Sequence, residues 1–167
     1  MIKMPQLKTL YESLGFAAVQ TYIQSGNVIF SSKNKDQYSI SAGVEAAIEE
    51  SFGFPVTVII RRSSEMGRII DACPFIGLKG IDEGKLHVTF LKARPAPALV
   101  SALESLAANS TDQYRLGASE IYLHCPNGYG RTLLSNGFFE KHLKVVATTR
   151  NWRTVHALFD LSNTTDK

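Results

Sequence analysis

The amino-acid order points to an α+β protein made of two consecutive sheet-and-helix units. Three observations lead there. Apolar residues at helical spacing alternate with short β-branched runs along all 167 residues. Each half holds a hairpin signal, at 19–32 and 113–125, placed between two helical stretches. The second half reads β-α-β-β-α-β-α, and the first half repeats it as α-β-β-α-β-α. The shared βαββαβ order is the ferredoxin-like unit, a four-stranded sheet with helices on one face. The expected units are 1–78 and 79–167, the first lacking its opening strand.

The elements follow in order. Leu7, Leu10, Tyr11 and Leu14 recur at i, i+3, i+4 and i+7, with Pro5 in the first turn and Gly15 as the stop, so 5–14 is a helix. Strands at 19–24 and 28–32 flank Ser25-Gly26-Asn27, which has tight-turn chemistry. Ile40, Val44, Ala47 and Ile48 form the stripe of a helix over 37–52 that Gly53 closes. The β-branched run 56–61 predicts a strand. Ser63 or Ser64 then caps a short helix ending before Pro74. The second half predicts a strand at 85–91, a helix at 97–107, a hairpin at 113–116 and 120–125, a helix at 133–143, a strand at 145–147 and a helix at 151–161.

The absent strand has a physical consequence. In a βαββαβ sheet the first strand is central, so its loss takes partners from two neighbours over about five residues a side. Met1–Met4 supplies a stub at most. The expectation is an N-terminal truncation, another segment in the slot, or a strand given by a second copy in a strand-swapped homodimer.

Composition narrows the class. A 44% hydrophobic content supports a sizeable core, and a net charge of +3 permits an anionic ligand without requiring one. No apolar run nears the roughly 20 residues that cross a bilayer, and no leader pattern precedes the first helix. No membrane association and a cytoplasmic setting are expected. Cys73 and Cys125 make no disulfide framework. The four histidines are scattered without metal-ligand spacing, so no metal and no cofactor are expected.

One segment breaks a local rule. Thr148-Thr149-Arg150-Asn151-Trp152-Arg153 places two cations at an expected helix start, where the helix dipole disfavours them. Thr148 or Thr149 would cap that helix, and its free N–H groups beside Arg150 and Arg153 would hold a phosphate or carboxylate. The structural reading has Trp152 as packing and both arginines as ties to carboxylates or carbonyls. Pro126-Asn127-Gly128-Tyr129-Gly130-Arg131-Thr132 is either a plain strand-to-helix loop or an anion cradle, and it matches no nucleotide fingerprint. Arg61-Arg62 reads as solvated charge. Tyr22, Phe30, Phe90 and Tyr122 lie on strands, as base-stacking aromatics do in RNA-recognition sheets, but the signature of such sheets is missing and packing explains each.

Several separated motifs resemble one family. Lys3-Met4 with the helix from Leu7 to Phe16, the hairpin Thr21-Tyr22-Ile23-Gln24-Ser25-Gly26-Asn27-Val28, Glu120-Ile121-Tyr122-Leu123, Pro126-Asn127-Gly128, Phe139-Glu140-Lys141 and the segment from Ala147 to Val155 are similar, in order, to the bacterial family called domain of unknown function 1697. Members usually begin with an apolar strand and an Arg-Gly-Ile-Asn-type loop, and this chain starts after it. Cys73 stands where an Asn is common, and Lys144 where a Gly often ends the penultimate helix. The family has no established activity, so the resemblance implies a fold more than a function.

The functional expectation is non-catalytic binding of an anionic ligand (a nucleotide, a phosphorylated metabolite or nucleic acid) by Thr149, Arg150, Asn151, Arg153 and Arg131. The alternative is an enzyme acting on a small phosphorylated substrate, with His87 or His124 as its base.

Overall fold

The computed structural model describes residues 1–165. The chain is mixed α+β, with two antiparallel sheets and flanking helices, and falls into two compact units. One is Met1–Met66 together with the chain from Ala157 onward; the other is Gly67–His156. The division by compactness therefore differs from the expected 78/79 boundary.

In unit 1, helix α1 (Met4–Ser13) is followed by strands β1 (Ala17–Tyr22) and β2 (Asn27–Ser31) and helix α2 (Gln37–Phe52). The hairpin turns where expected: Gly26 takes φ +77, and the Asn27 amide donates to the Tyr22 carbonyl and the Ser25 hydroxyl. Asp36 caps α2 through the Tyr38 N–H, and Gly53 ends it at φ +81. Met4, Leu7, Tyr11, Val19, Ile40, Val44 and Ile48 are the buried cluster between the helices and the hairpin. Val28, Phe30, Val56, Val58 and Ile60 pack on it from the sheet side. The helical stripes thus face a strand pair.

The expected strand at 56–61 does not form. The sheet has only β1 and β2, and residues 56–62 carry no regular structure. The cause is pairing rather than propensity. A strand is defined by its neighbour, and no described segment of unit 1 lies beside this run in a ladder. The Val58 N–H goes instead to the Glu45 carboxylate, at 2.8 Å.

Helix α3 (Ser63–Asp71) leads into unit 2. There β3 (Leu86–Leu91), α4 (Pro97–Ala107), β4 (Gln113–Leu116), β5 (Glu120–His124), α5 (Asn136–Leu143) and β6 (Ala147–Asn151) follow. Helix α6 (Trp152–Thr165) ends the described chain. The sheet order is β4-β5-β3-β6, antiparallel throughout, so the first strand of this unit pairs with both β5 and β6. Leu91, Ile121, Leu123 and Ala147 face Leu103, Ala107, Phe139 and Leu143 of α4 and α5 in one core. Fully burying a side chain such as Leu123 or Phe139 stabilises by about 1.5–3 kcal/mol. The opposite sheet face is covered too. Tyr122 Oη donates to the Ile69 carbonyl at 2.7 Å, the Phe75 ring lies 6.3 Å from that of His124, and Arg68 pairs with Glu120 at 3.0 Å.

Two boundaries move. Helix α5 starts at Asn136 instead of 133, because the Ser135 hydroxyl accepts from the Phe138 N–H and a 3-10 turn occupies Tyr129–Arg131. The last strand is Ala147–Asn151 rather than 145–147, in register with β3 from Leu91↔Ala147 to His87↔Asn151. The final helix accordingly opens at Trp152, one residue later than expected. Both free cysteines are buried, and burial raises both thiols.

Candidate functional site

The segment expected to start the last helix is mostly strand, and this rearranges the candidate residues. Thr148 and Thr149 do not cap α6. Asn151 does, its Oδ1 accepting from the Thr154 N–H at 2.8 Å. Arg150 is not at a helix start but inside β6, so the dipole conflict applies to Arg153 alone. Strand alternation then separates the group. Thr149 and Asn151 lie on the helix-packed face, opposite Thr89 and His87, while Arg150 lies on the other face, opposite Val88.

On the helix-packed face a polar chain interrupts the apolar core. The Thr89 and Thr149 hydroxyls share a hydrogen bond at 2.8 Å, and Thr149 donates to Asn136 Oδ1 at 3.2 Å. Thr89 must therefore donate to Thr149. The Asn136 amide donates to the Ala147 carbonyl, and its N–H donates to the Tyr129 hydroxyl at 2.8 Å. The Tyr129 ring stacks on His87, with centroids 4.9 Å apart. The glycine-containing loop is thus tied to β6 through Asn136. Arg131 is exposed two residues beyond Tyr129, and Arg153 is exposed in the first turn of α6. Among the described residues neither joins an ion pair.

His87 is the electrostatic oddity. Its Nδ1 is shielded from water and finds no hydrogen-bond partner of good geometry. Burial lowers its pKa below the usual imidazole range, with the Lys85 backbone opposing the shift and the Lys85 charge adding to it. The ring is therefore neutral near pH 7. Arg150 donates to the Thr148 hydroxyl at 2.7 Å and the Thr149 carbonyl at 2.9 Å, and burial lowers its pKa.

Other candidates resolve into scaffolding. The Thr132 hydroxyl bonds the Asp112 carboxylate and accepts from the Leu134 N–H, so it is engaged at home. His124 Nε2 accepts from the Asp82 N–H at 3.3 Å on the opposite sheet face. In unit 1, Arg61 donates to the Ile60 carbonyl and Arg62 to the Lys35 carbonyl. Phe90 and Tyr122 are buried, and Phe30 packs on the unit 1 core. Trp152, also buried, meets the His156 ring edge-on. No group of His, Cys, Asp or Glu among the described residues could hold a metal ion. No described helix is long and apolar enough to cross a membrane.

Sequence reasoning missed Thr89, Tyr129 and Asn136 as members of the cluster. Thr89 was legible as the polar member of an apolar strand. Asn136 was hidden inside a helix drawn three residues too long.

Comparison with known proteins places this architecture. The model of a protein family of unknown function (DUF1697) matches residues 1–122. The chain belongs to that family. The matched span stops before Arg131 and the 147–153 segment, so the candidate cluster lies largely beyond it. The conserved bacterial protein SP0830 from Streptococcus pneumoniae has a similar structure, with a TM-score of 0.69 over 97% of this chain and 89% of that one, at 16% sequence identity. At that identity the likeness concerns the fold. A search of curated proteins finds no match.

Proposed function

We propose that this DUF1697 member is a non-catalytic binding protein for a small anionic ligand, a nucleotide or phosphorylated metabolite, held in unit 2. Nucleic acid is the less favoured anion, because the strand aromatics Phe90 and Tyr122 are buried. The unit is read as ferredoxin-like, the second of two tandem copies of which the first lacks its opening strand, working in the cytoplasm. Arg131 and Arg153 supply charge, Asn151 and Thr149 supply polar contacts, and Arg150 stiffens β6 from behind.

The observation that carries this reading is the His87 Nδ1. A shielded polar atom without a well-aligned partner costs up to about 1–3 kcal/mol, and here it lies on the face of Thr149 and Asn151. A ligand oxygen or hydroxyl would satisfy it. The enzymatic alternative keeps His87 as a base on the same face, so turnover separates the two: a parent chain that binds a probe without turning it over favours the binding role, and turnover that His87→Gln abolishes favours the enzyme.

The test is thermal shift with pyrophosphate, ATP and a short oligonucleotide. Specific binding raises the melting temperature by mass action. Arg131→Ala with Arg153→Ala, both exposed positions, should leave the unliganded Tm within about a degree and abolish the ligand-induced rise. Arg150→Ala should lower Tm with and without ligand. No shift by any probe, or a shift unchanged in the double variant, removes this site.

A further inference from the structure

We infer that unit 1 carries a surface for single-stranded nucleic acid, on which the Tyr38 ring stacks a base while Lys33, Lys35 and Arg62 meet neighbouring phosphates. The surface lies wholly in unit 1. It does not depend on the anion site of unit 2, from which it differs in residues and in ligand.

Tyr38 is the starting point. Of the six tyrosines, all within the described residues, only this one is exposed, at 80%. It stands in the first turn of α2, two residues before the buried Ile40. Two residues turn a helix through slightly more than half a circle, so the Tyr38 side chain leaves the axis away from the core. Its ring meets no other ring among the described residues. Phe90 and Tyr122 of the unit 2 sheet are buried; Tyr38 offers its face to water.

Cations gather at the same place. Lys33, Lys35 and Arg62 are exposed, and none of the three joins an ion pair among the described residues. Arg62 is distant in sequence and is brought to the loop between β2 and α2 by donating to the Lys35 carbonyl. The nearby carboxylates are engaged. Asp36 accepts from the Tyr38 N–H at 3.1 Å, and Glu65 accepts from the Gln37 amide at 2.8 Å and pairs with Arg61 at 3.9 Å. Arg61 thus answers Glu65, and the other three cations stand against Asp36 alone. The loop itself is held. The Asn34 amide donates to the Ser39 hydroxyl at 3.2 Å, and Asn34 Oδ1 accepts from the Asp36 N–H at 3.0 Å. A loop already fixed loses less freedom when a ligand arrives.

The combination selects the ligand. Proteins that bind single strands without reading sequence join a positive track for the backbone to aromatic rings on which bases stack. A free phosphate or an acidic peptide would answer the cations and leave the ring idle. An anionic membrane would need more apolar surface than one ring, and the exposed neighbours Asn34 and Ser39 are polar. Bases splayed out of a single strand present their faces to such a ring, whereas a duplex keeps them stacked inside.

The test is fluorescence anisotropy with labelled oligo(dT) and oligo(U) of about 12 nucleotides, within the usual footprint of such a surface. The full chain carries Arg131→Ala and Arg153→Ala, so that the unit 2 site is silent. The expected result is saturable binding of either strand, the tighter one identifying DNA or RNA as the source. The log of affinity falls against the log of salt with a slope of about −2, three phosphates at roughly −0.7 each. Tyr38→Ala weakens binding by about 5- to 150-fold, the usual worth of one stacked base, and Tyr38→Phe, which keeps the ring, does not. Lys33→Gln with Lys35→Gln reduces the slope to about −0.7. All three positions are exposed, so the Tm of each variant stays within about a degree. No binding of either strand, equal binding by the Tyr38→Ala chain, or tighter binding of inorganic polyphosphate or phosphatidylserine vesicles than of the strands overturns the inference.

Discussion

Gly117 illustrates how one side chain constrains another. A Cβ there would stand 2.3 Å from Glu120 Oε1 and 2.8 Å from its Cδ. That carboxylate cannot swing aside. It is 1% exposed, held by Arg68 at 3.0 Å and by the Ser119 N–H at 3.1 Å. Gly117→Ala should therefore destabilise by about 1–3 kcal/mol, the usual range for overpacking, read as a lower urea midpoint at unchanged slope. A neutral outcome would mean that Glu120 is not fixed. His87 gives a pH signature. Its folded pKa lies below the unfolded value near 6.5, so above about pH 7.5 both states are neutral and no stability is at stake. As pH falls through the unfolded value, the unfolded chain takes up the proton first and stability is lost. Tm should fall from pH 7.5 toward pH 5.5, and His87→Gln should flatten that part of the curve.

At the level of elements, α5 ends against a local preference. Lys144 takes φ 58, ψ 34 at the C-cap, a left-handed conformation that costs a side-chain-bearing residue roughly 1–2 kcal/mol. Lys144→Gly should stabilise the protein by about 1 kcal/mol, seen as a Tm rise of a few degrees; an unchanged or lower Tm would locate the cost elsewhere. Helices were the most legible part of the sequence. Gln37–Phe52 and Pro97–Ala107 stand at their expected bounds because stripes, caps and stops agree there. Strands were less so. Val56–Ile60 has ideal strand composition and no ladder, whereas Thr148–Asn151 looked like a helix start and is strand because β3 pairs with it. Pairing depends on residues far away in sequence, which local composition does not contain. The candidate cluster was half legible for the same reason. The segment alone named Thr149 and Asn151 as candidates, but the face that unites Thr149 with Thr89 and Asn136 emerges only from register.

For the whole molecule, the contrast between the sheets predicts an uneven resistance to opening. Unit 2 has a four-stranded sheet with β3 paired on both edges; unit 1 has a two-stranded ribbon. Protection from amide exchange grows with buried, doubly paired backbone. The amides of β3 and β5 should exchange slowest in the chain, and those of β1 and β2 markedly faster, by mass spectrometry of the intact protein. Equal protection in both would show that the number of paired strands does not set the order of opening.

The thiol of Cys125 is wholly enclosed, and burial keeps it in its protonated, sluggish form. An alkylating reagent in the surrounding water meets it only at moments when the second unit parts around it. The rate of that modification is thus an intrinsic clock for such excursions, carried by the native chain with no label attached.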